Sequence, residues 1–106
     1  MTQIQQLGVQ DVYKLYEAKP ADHVFIDVRQ PEEWEEGVMP GAHKIMLGDL
    51  PDRLDELDKS KTYVMVCRSG GRSNHACQQM QEAGFTSLIN FNGGMLAWNE
   101  AGYETE

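Results

Sequence analysis

The spacing of apolar residues along this chain changes period several times, from strand-like runs to helical spacing and back. Gln3 to Leu7 reads as a short strand, and Val9, Val12, Tyr13 and Tyr16 then recur at helical spacing. His23-Val24-Phe25-Ile26-Asp27-Val28 reads as a buried strand ending at an Asp27-Val28-Arg29 turn. Pro31 to Glu36 predicts a short acidic helix, with Pro31 in the first turn, where an N–H has no helical partner to lose. Pro40-Gly41 marks a turn, and Ala42 to Leu47 predicts a brief strand. Asp49 is expected to N-cap a helix whose Leu50, Leu54 and Leu57 share one face. Thr62 to Val66 is the next strand, and the helix after it presents Ala76, Cys77, Met80 and Ala83 inward. That helix should stop at Gly84, with Phe85 packing back as in a Schellman motif. Ser87 to Phe91 gives the last strand, and Met95 to Glu100 the last helix, after Gly93-Gly94.

Strands alternating with helices imply βαβ units, hence an α/β fold whose mainly parallel sheet is covered by helices on both faces. The 106 residues show no repeat, linker or low-complexity tract and suit a single domain spanning 1–106.

Composition narrows the function. A formal net charge of -8 argues against nucleic acid or an anionic membrane as partner. The acids gather in Glu32-Glu33-Trp34-Glu35-Glu36 and between Asp49 and Asp58, and read as solvated helix faces. No apolar run is long enough to cross a membrane, and Met1-Thr2-Gln3 does not open a secretory signal. Cys67 and Cys77 show no metal-ligand spacing, and His23, His43 and His75 are scattered, so no metal or other cofactor is implied. Two thiols without a signal peptide suggest a reducing, cytoplasmic setting.

The chemistry concentrates in Cys67-Arg68-Ser69-Gly70-Gly71-Arg72-Ser73. A cysteine ends an apolar strand, and a glycine-rich loop leads into the next helix. Unpaired N–H groups and the helix dipole favour negative charge there. Beside Arg68 and Arg72, the thiol is expected to titrate low and to act as a nucleophile in an anion cradle. In parallel sheets, ligands bind beyond the carboxyl ends of the strands, which is where this loop falls.

Three readings compete: sulfur transfer through a Cys67 persulfide, cysteine-dependent phosphate or arsenate chemistry, and a non-catalytic binding module. Cysteine phosphatases place one residue more between cysteine and arginine than the four found here, Arg68-Ser69-Gly70-Gly71. The tighter loop suits a terminal sulfur better than a phosphoryl group, and no acid stands ready to protonate a leaving oxygen. Retention of the cysteine and both arginines argues against an inert module.

The chain resembles the single-domain rhodaneses, a sulfurtransferase family, over nearly its whole length. Asp27-Val28-Arg29 resembles the first family motif; Glu33-Trp34 with Gly37, Met39-Pro40-Gly41-Ala42 and Ile45 resemble the second. Cys67 to Ser73 resembles the active-site loop, and Gly93-Gly94 with Trp98 the last motif. Val38 stands where many relatives carry histidine. The resemblance implies a five-stranded, mainly parallel sheet and a persulfide on Cys67. It also implies a small sulfur donor (thiosulfate or a persulfide) and a thiophilic acceptor: cyanide or a thiol, including a thioredoxin-like protein.

Residue type suggests the secondary roles. Gly70 and Gly71 are expected to take positive φ and turn amides inward, lining the site with Ser69. Arg72 either neutralises the bound anion or braces the loop through a carboxylate; Arg68 either meets the donor or is solvated. Asp27, Arg29 and Glu33 read as a structural ion-pair and capping set. Trp34, Trp98 and Cys77 read as packing residues, and His75 as a surface histidine.

Overall fold

The computed structural model describes residues 4–106, so Gln3, the expected start of the first strand, lies outside the described residues. The elements run β1 (Ile4–Leu7), α1 (Val9–Ala18), β2 (His23–Asp27), α2 (Pro31–Trp34), β3 (His43–Lys44) and α3 (Leu50–Arg53) with a 3-10 turn Leu54–Glu56. The chain continues through β4 (Thr62–Val66), α4 (Gly71–Glu82), β5 (Leu88–Phe91) and α5 (Gly94–Glu100). The sheet order is β1-β5-β4-β2-β3, and every pairing is parallel.

Alternation along each strand divides the core between the two faces. Tyr63, Met65 and Cys67 share one apolar cluster with Ala76, Cys77 and Met80 of α4 and Leu50 of α3. Val64 and Val66 point the other way, into a cluster with Val12 of α1 and Met95 and Trp98 of α5. Burial of each such side chain contributes about 1.5–3 kcal/mol. The crossover from β1 to β2 and those leading back to β4 and β5 travel in opposite directions across the sheet. Right-handed connections therefore put α1 on one face and α3 and α4 on the other.

Local signals act as read at the close of α4 and the opening of α2. After α4, Gly84 takes φ +99°, its N–H donates to Gln81 O, and Phe85 N–H donates to Met80 O at 3.0 Å, completing a Schellman motif. Pro31 opens α2, where Gln30 and Glu33 form a reciprocal capping box.

Two expectations are corrected. The predicted strand Ala42 to Leu47 pairs regularly only at His43 and Lys44. Beyond them, Ile45 and Leu47 still donate to Asp27 O and Val28 O, but the chain is already turning toward α3. Asp49 precedes that helix without capping it through its side chain. A turn at Met46 O, which accepts the N–H of both Asp49 and Leu50, starts the helix instead.

Candidate active site

Cys67 is the first residue beyond β4, and its buried side chain lies on the α4 side of the sheet. The loop after it is a backbone device for surrounding sulfur with N–H groups. The carbonyls of Cys67 and Arg68 are turned away and tied to α5, accepting from Met95 N–H at 2.9 Å and Leu96 N–H at 3.0 Å. Gly94 permits this docking, since a Cβ there would sit 2.6 Å from the Arg68 carbonyl oxygen. Gly70 takes φ +107° as N-cap of α4 and sends its N–H to Cys67 Sγ at 3.1 Å. Gly71 does not share that conformation: it is the first helical residue of α4, with open space where a Cβ would go. Of the two loop glycines, Gly70 alone is required by backbone geometry.

Burial alone would push the Cys67 thiol up. The Ser73 hydroxyl and the amides of Ser73, Gly70 and Ser69 outweigh it, and the thiol titrates below its ordinary value. The expected direction therefore holds, and the loop amides act as the sequence reading expected; the Ser73 hydroxyl joins them, while neither arginine is among the main causes. Arg72 is turned onto Glu33 in a bidentate pair, Nη1 to Oε1 at 2.7 Å and Nη2 to Oε2 at 2.8 Å. Hydrogen bonding to Arg72 holds the Glu33 carboxyl at a pKa of about 2. Arg72 thus ties the loop helix to α2. Arg68 and Ser69 lie at the exposed rim. Arg29 and Asp27 form a buried pair at 2.8 Å, and Arg29 also donates to Gly37 O, fixing the turn after α2.

Ser73 and Asn90 escaped the sequence-based reading of the site. The Ser73 Oγ lies 3.3 Å from Cys67 Sγ and 2.5 Å from Asn90 Oδ1. Asn90 is buried and spends its two amide hydrogens on Gly70 O and Gln6 Oε1. Its signal was present: Asn90 is the one polar residue in the otherwise apolar strand Leu88–Phe91. A polar side chain at such a position must be satisfied by something specific.

The remaining candidates lie outside the cradle. Cys77 is buried in the core and free, and burial pushes its thiol up to about 12. His75 is exposed on α4. Trp98 packs under α1, with its Nε1–H donated to Glu104 O. Val38 is buried, and its backbone exchanges two hydrogen bonds with Glu106. Among the described residues, no three His, Cys, Asp or Glu side chains converge as a metal site, and no helix is long and apolar enough to cross a membrane.

Residues 8–101 match the family model of the rhodanese-like domain. The chain belongs to the rhodanese-like family. A Bacillus subtilis relative provisionally named sulfurtransferase YtwF is 49% identical over 73 residues, 69% of this chain and 70% of its own length. The thiosulfate sulfurtransferase GlpE of Shewanella oneidensis is 29% identical over 95% of this chain and 98% of its own. Among solved structures, a rhodanese-like domain protein from Staphylococcus aureus superposes with a TM-score of 0.82. It is 28% identical, and the match covers 97% of this chain and 99% of that one. These rhodanese-like relatives include named sulfurtransferases, and the five-stranded parallel sheet is the fold they share.

Proposed function

We propose that this rhodanese-like chain carries sulfane sulfur from a donor to a thiophilic acceptor as a persulfide on Cys67. The observation that supports it best is the cradle itself: a nucleophilic sulfur held by Gly70 N–H at 3.1 Å, at the amino end of the twelve-residue helix α4. In the first half-reaction the Cys67 thiolate attacks the outer sulfur of the donor. A bond forms between Sγ and that sulfur, the donor's S–S bond breaks, and the leaving sulfite or thiolate takes the electron pair. In the second half-reaction the acceptor attacks the outer sulfur and Cys67 leaves as thiolate. Cyanide becomes thiocyanate, or a thiol becomes a persulfide, and no external oxidant is consumed. Loop amides that hold one anionic sulfur are placed to hold the terminal sulfur that replaces it.

The phosphatase alternative fares worse on geometry. Its arginine would have to face a phosphoryl group, whereas Arg72 has both Nη groups committed to Glu33. The test of the sulfur reading is intact mass after exposure to a persulfide donor or thiosulfate. The expected gain is one sulfur atom, reversed by cyanide or dithiothreitol and absent in a folded Cys67→Ser variant. Gain of the same sulfur by Cys67→Ser would sink the assignment.

A further inference from the structure

The two loop arginines do not offer the same charge. Arg72 is cancelled by Glu33, which its low pKa keeps ionised throughout the working pH range. Arg29 is paired with Asp27 at 2.8 Å. Among the described residues, Arg68 is the one loop cation without a carboxylate in ion-pair range, and it is exposed, where salt screens it. With Cys67 ionised, Arg29, Arg68 and Arg72 stand against Asp27, Glu33 and the thiolate, and the site is neutral.

The surface beside the loop is neutral as well. Gly70, whose N–H reaches Sγ, also borders an open depression of about 470 Å³ lined with Gln6, Asn74, Asn90 and Asn92. Its carboxamides carry no formal charge and largely pair with one another, Gln6 Nε2 donating to Asn74 Oδ1 and Asn90 Nδ2 to Gln6 Oε1. A small tetrahedral ion would leave most of that space unused.

Building on the sulfur-transfer reading, we propose that Glu33 is a specificity-determining residue that fits this site to the persulfides of peptide-like thiols and away from thiosulfate. Both donors deliver the same sulfur but differ in what they bring and leave. Thiosulfate enters as a dianion and departs as sulfite dianion, so three negative charges, the thiolate's included, share the loop during transfer. A persulfide R–S–SH or R–S–S⁻ departs as R–S⁻, and at most two charges share it. A site whose second arginine is neutralised has no cation in reserve for the third. The amide-lined depression then receives the body of a peptide-like thiol.

The experiment measures the rate of Cys67 persulfide formation by intact mass, with the persulfide of N-acetylcysteine amide, whose body carries no charge, and with thiosulfate as probes. Glu33→Gln keeps a hydrogen-bonding amide beside Arg72 but unmasks its charge. The ratio of thiosulfate to persulfide loading should rise roughly two- to fivefold, the scale of one partly exposed charge interaction, and the gain should shrink in high salt. Glu33→Asp, which retains the charge, should hold the ratio near that of the wild type. Mere loosening of the loop would lower both rates without favouring the dianion. Should Glu33→Gln not fold, sulfate reports on the wild type: it should compete weakly with persulfide loading, and strong protection at sub-millimolar sulfate overturns the inference. An unchanged ratio in folded Glu33→Gln also overturns it, with sulfur transfer left standing. No sulfur gain from either donor overturns the transfer reading, and this inference with it.

Discussion

Replacing Gly94 with alanine should damage the site from the far side of the loop. Gly94 has φ +55°, and a Cβ there would lie 2.6 Å from the oxygen and 2.7 Å from the carbon of the Arg68 carbonyl, overlapping the Cys67 carbonyl oxygen as well. Ordinary contact begins at 3.4 Å, so α5 and the loop must part by close to an ångström. Two costs add up. Left-handed backbone at a non-glycine residue costs about 1–2 kcal/mol. Weakening the bonds from Met95 N–H and Leu96 N–H to the loop carbonyls costs about 0.5–1.5 kcal/mol each. Together these give a loss of roughly 2–5 kcal/mol in unfolding free energy, measurable by urea titration. The functional loss should be larger than the stability loss implies. Freed carbonyls can rotate toward the sulfur, and a displacement of ~1 Å at a reacting centre costs on the order of a hundredfold in rate. The assay is single-turnover sulfur loading on the folded fraction, with the thiol titrated in parallel; loading should slow and the thiol pKa should rise. A Gly94→Ala protein that unfolds at the wild-type midpoint and loads sulfur at the wild-type rate would refute the idea that α5 shapes the cradle.

Two other outcomes are expected. Ser73→Ala removes a hydroxyl that favours the ionised sulfur, so the Cys67 pKa should move up; alkylation rate against pH, in a Cys77→Ala background, reads the shift, and a downward move would contradict the assignment. The Glu33–Arg72 pair should stabilise the fold above the ordinary carboxyl range and lose that contribution as pH falls toward about 2. Wild type should therefore lose more stability between neutral and acid pH than Glu33→Gln, and equal losses in denaturant titrations at the two pH values would show that the pair contributes nothing.

Much of the fold was legible because its signals are local. The apolar run Thr62–Val66 matches β4 to the residue, and the glycine and phenylalanine after α4 close it as their types require. The cysteine at the strand's end marked the candidate site for the same reason. What escaped depends on partners distant in sequence. Nothing near Arg72 says that its carboxylate lies 39 residues back at Glu33. Nor does the spacing of Gly93-Gly94 reveal that the amino end of α5 holds the loop's carbonyls. Amides and arginines both read as sources of the thiol's acidity; the amides act so, whereas Ser73 contributes through geometry that only folding supplies. Asn90 sits between these cases: its oddness in an apolar strand was visible, its three partners were not.

Cys77 has a consequence for how long a cargo can be held. A persulfide is consumed by any neighbouring thiolate, which would close an intrachain disulfide and expel the outer sulfur as hydrosulfide. With burial pushing its thiol up to about 12, Cys77 stays in the un-ionised form at neutral pH. The packing that seals it into the core therefore removes the nearest internal drain on a loaded Cys67. In the proposed cycle, the waiting time of the sulfur is then set by encounters with outside acceptors and not by a clock within the chain.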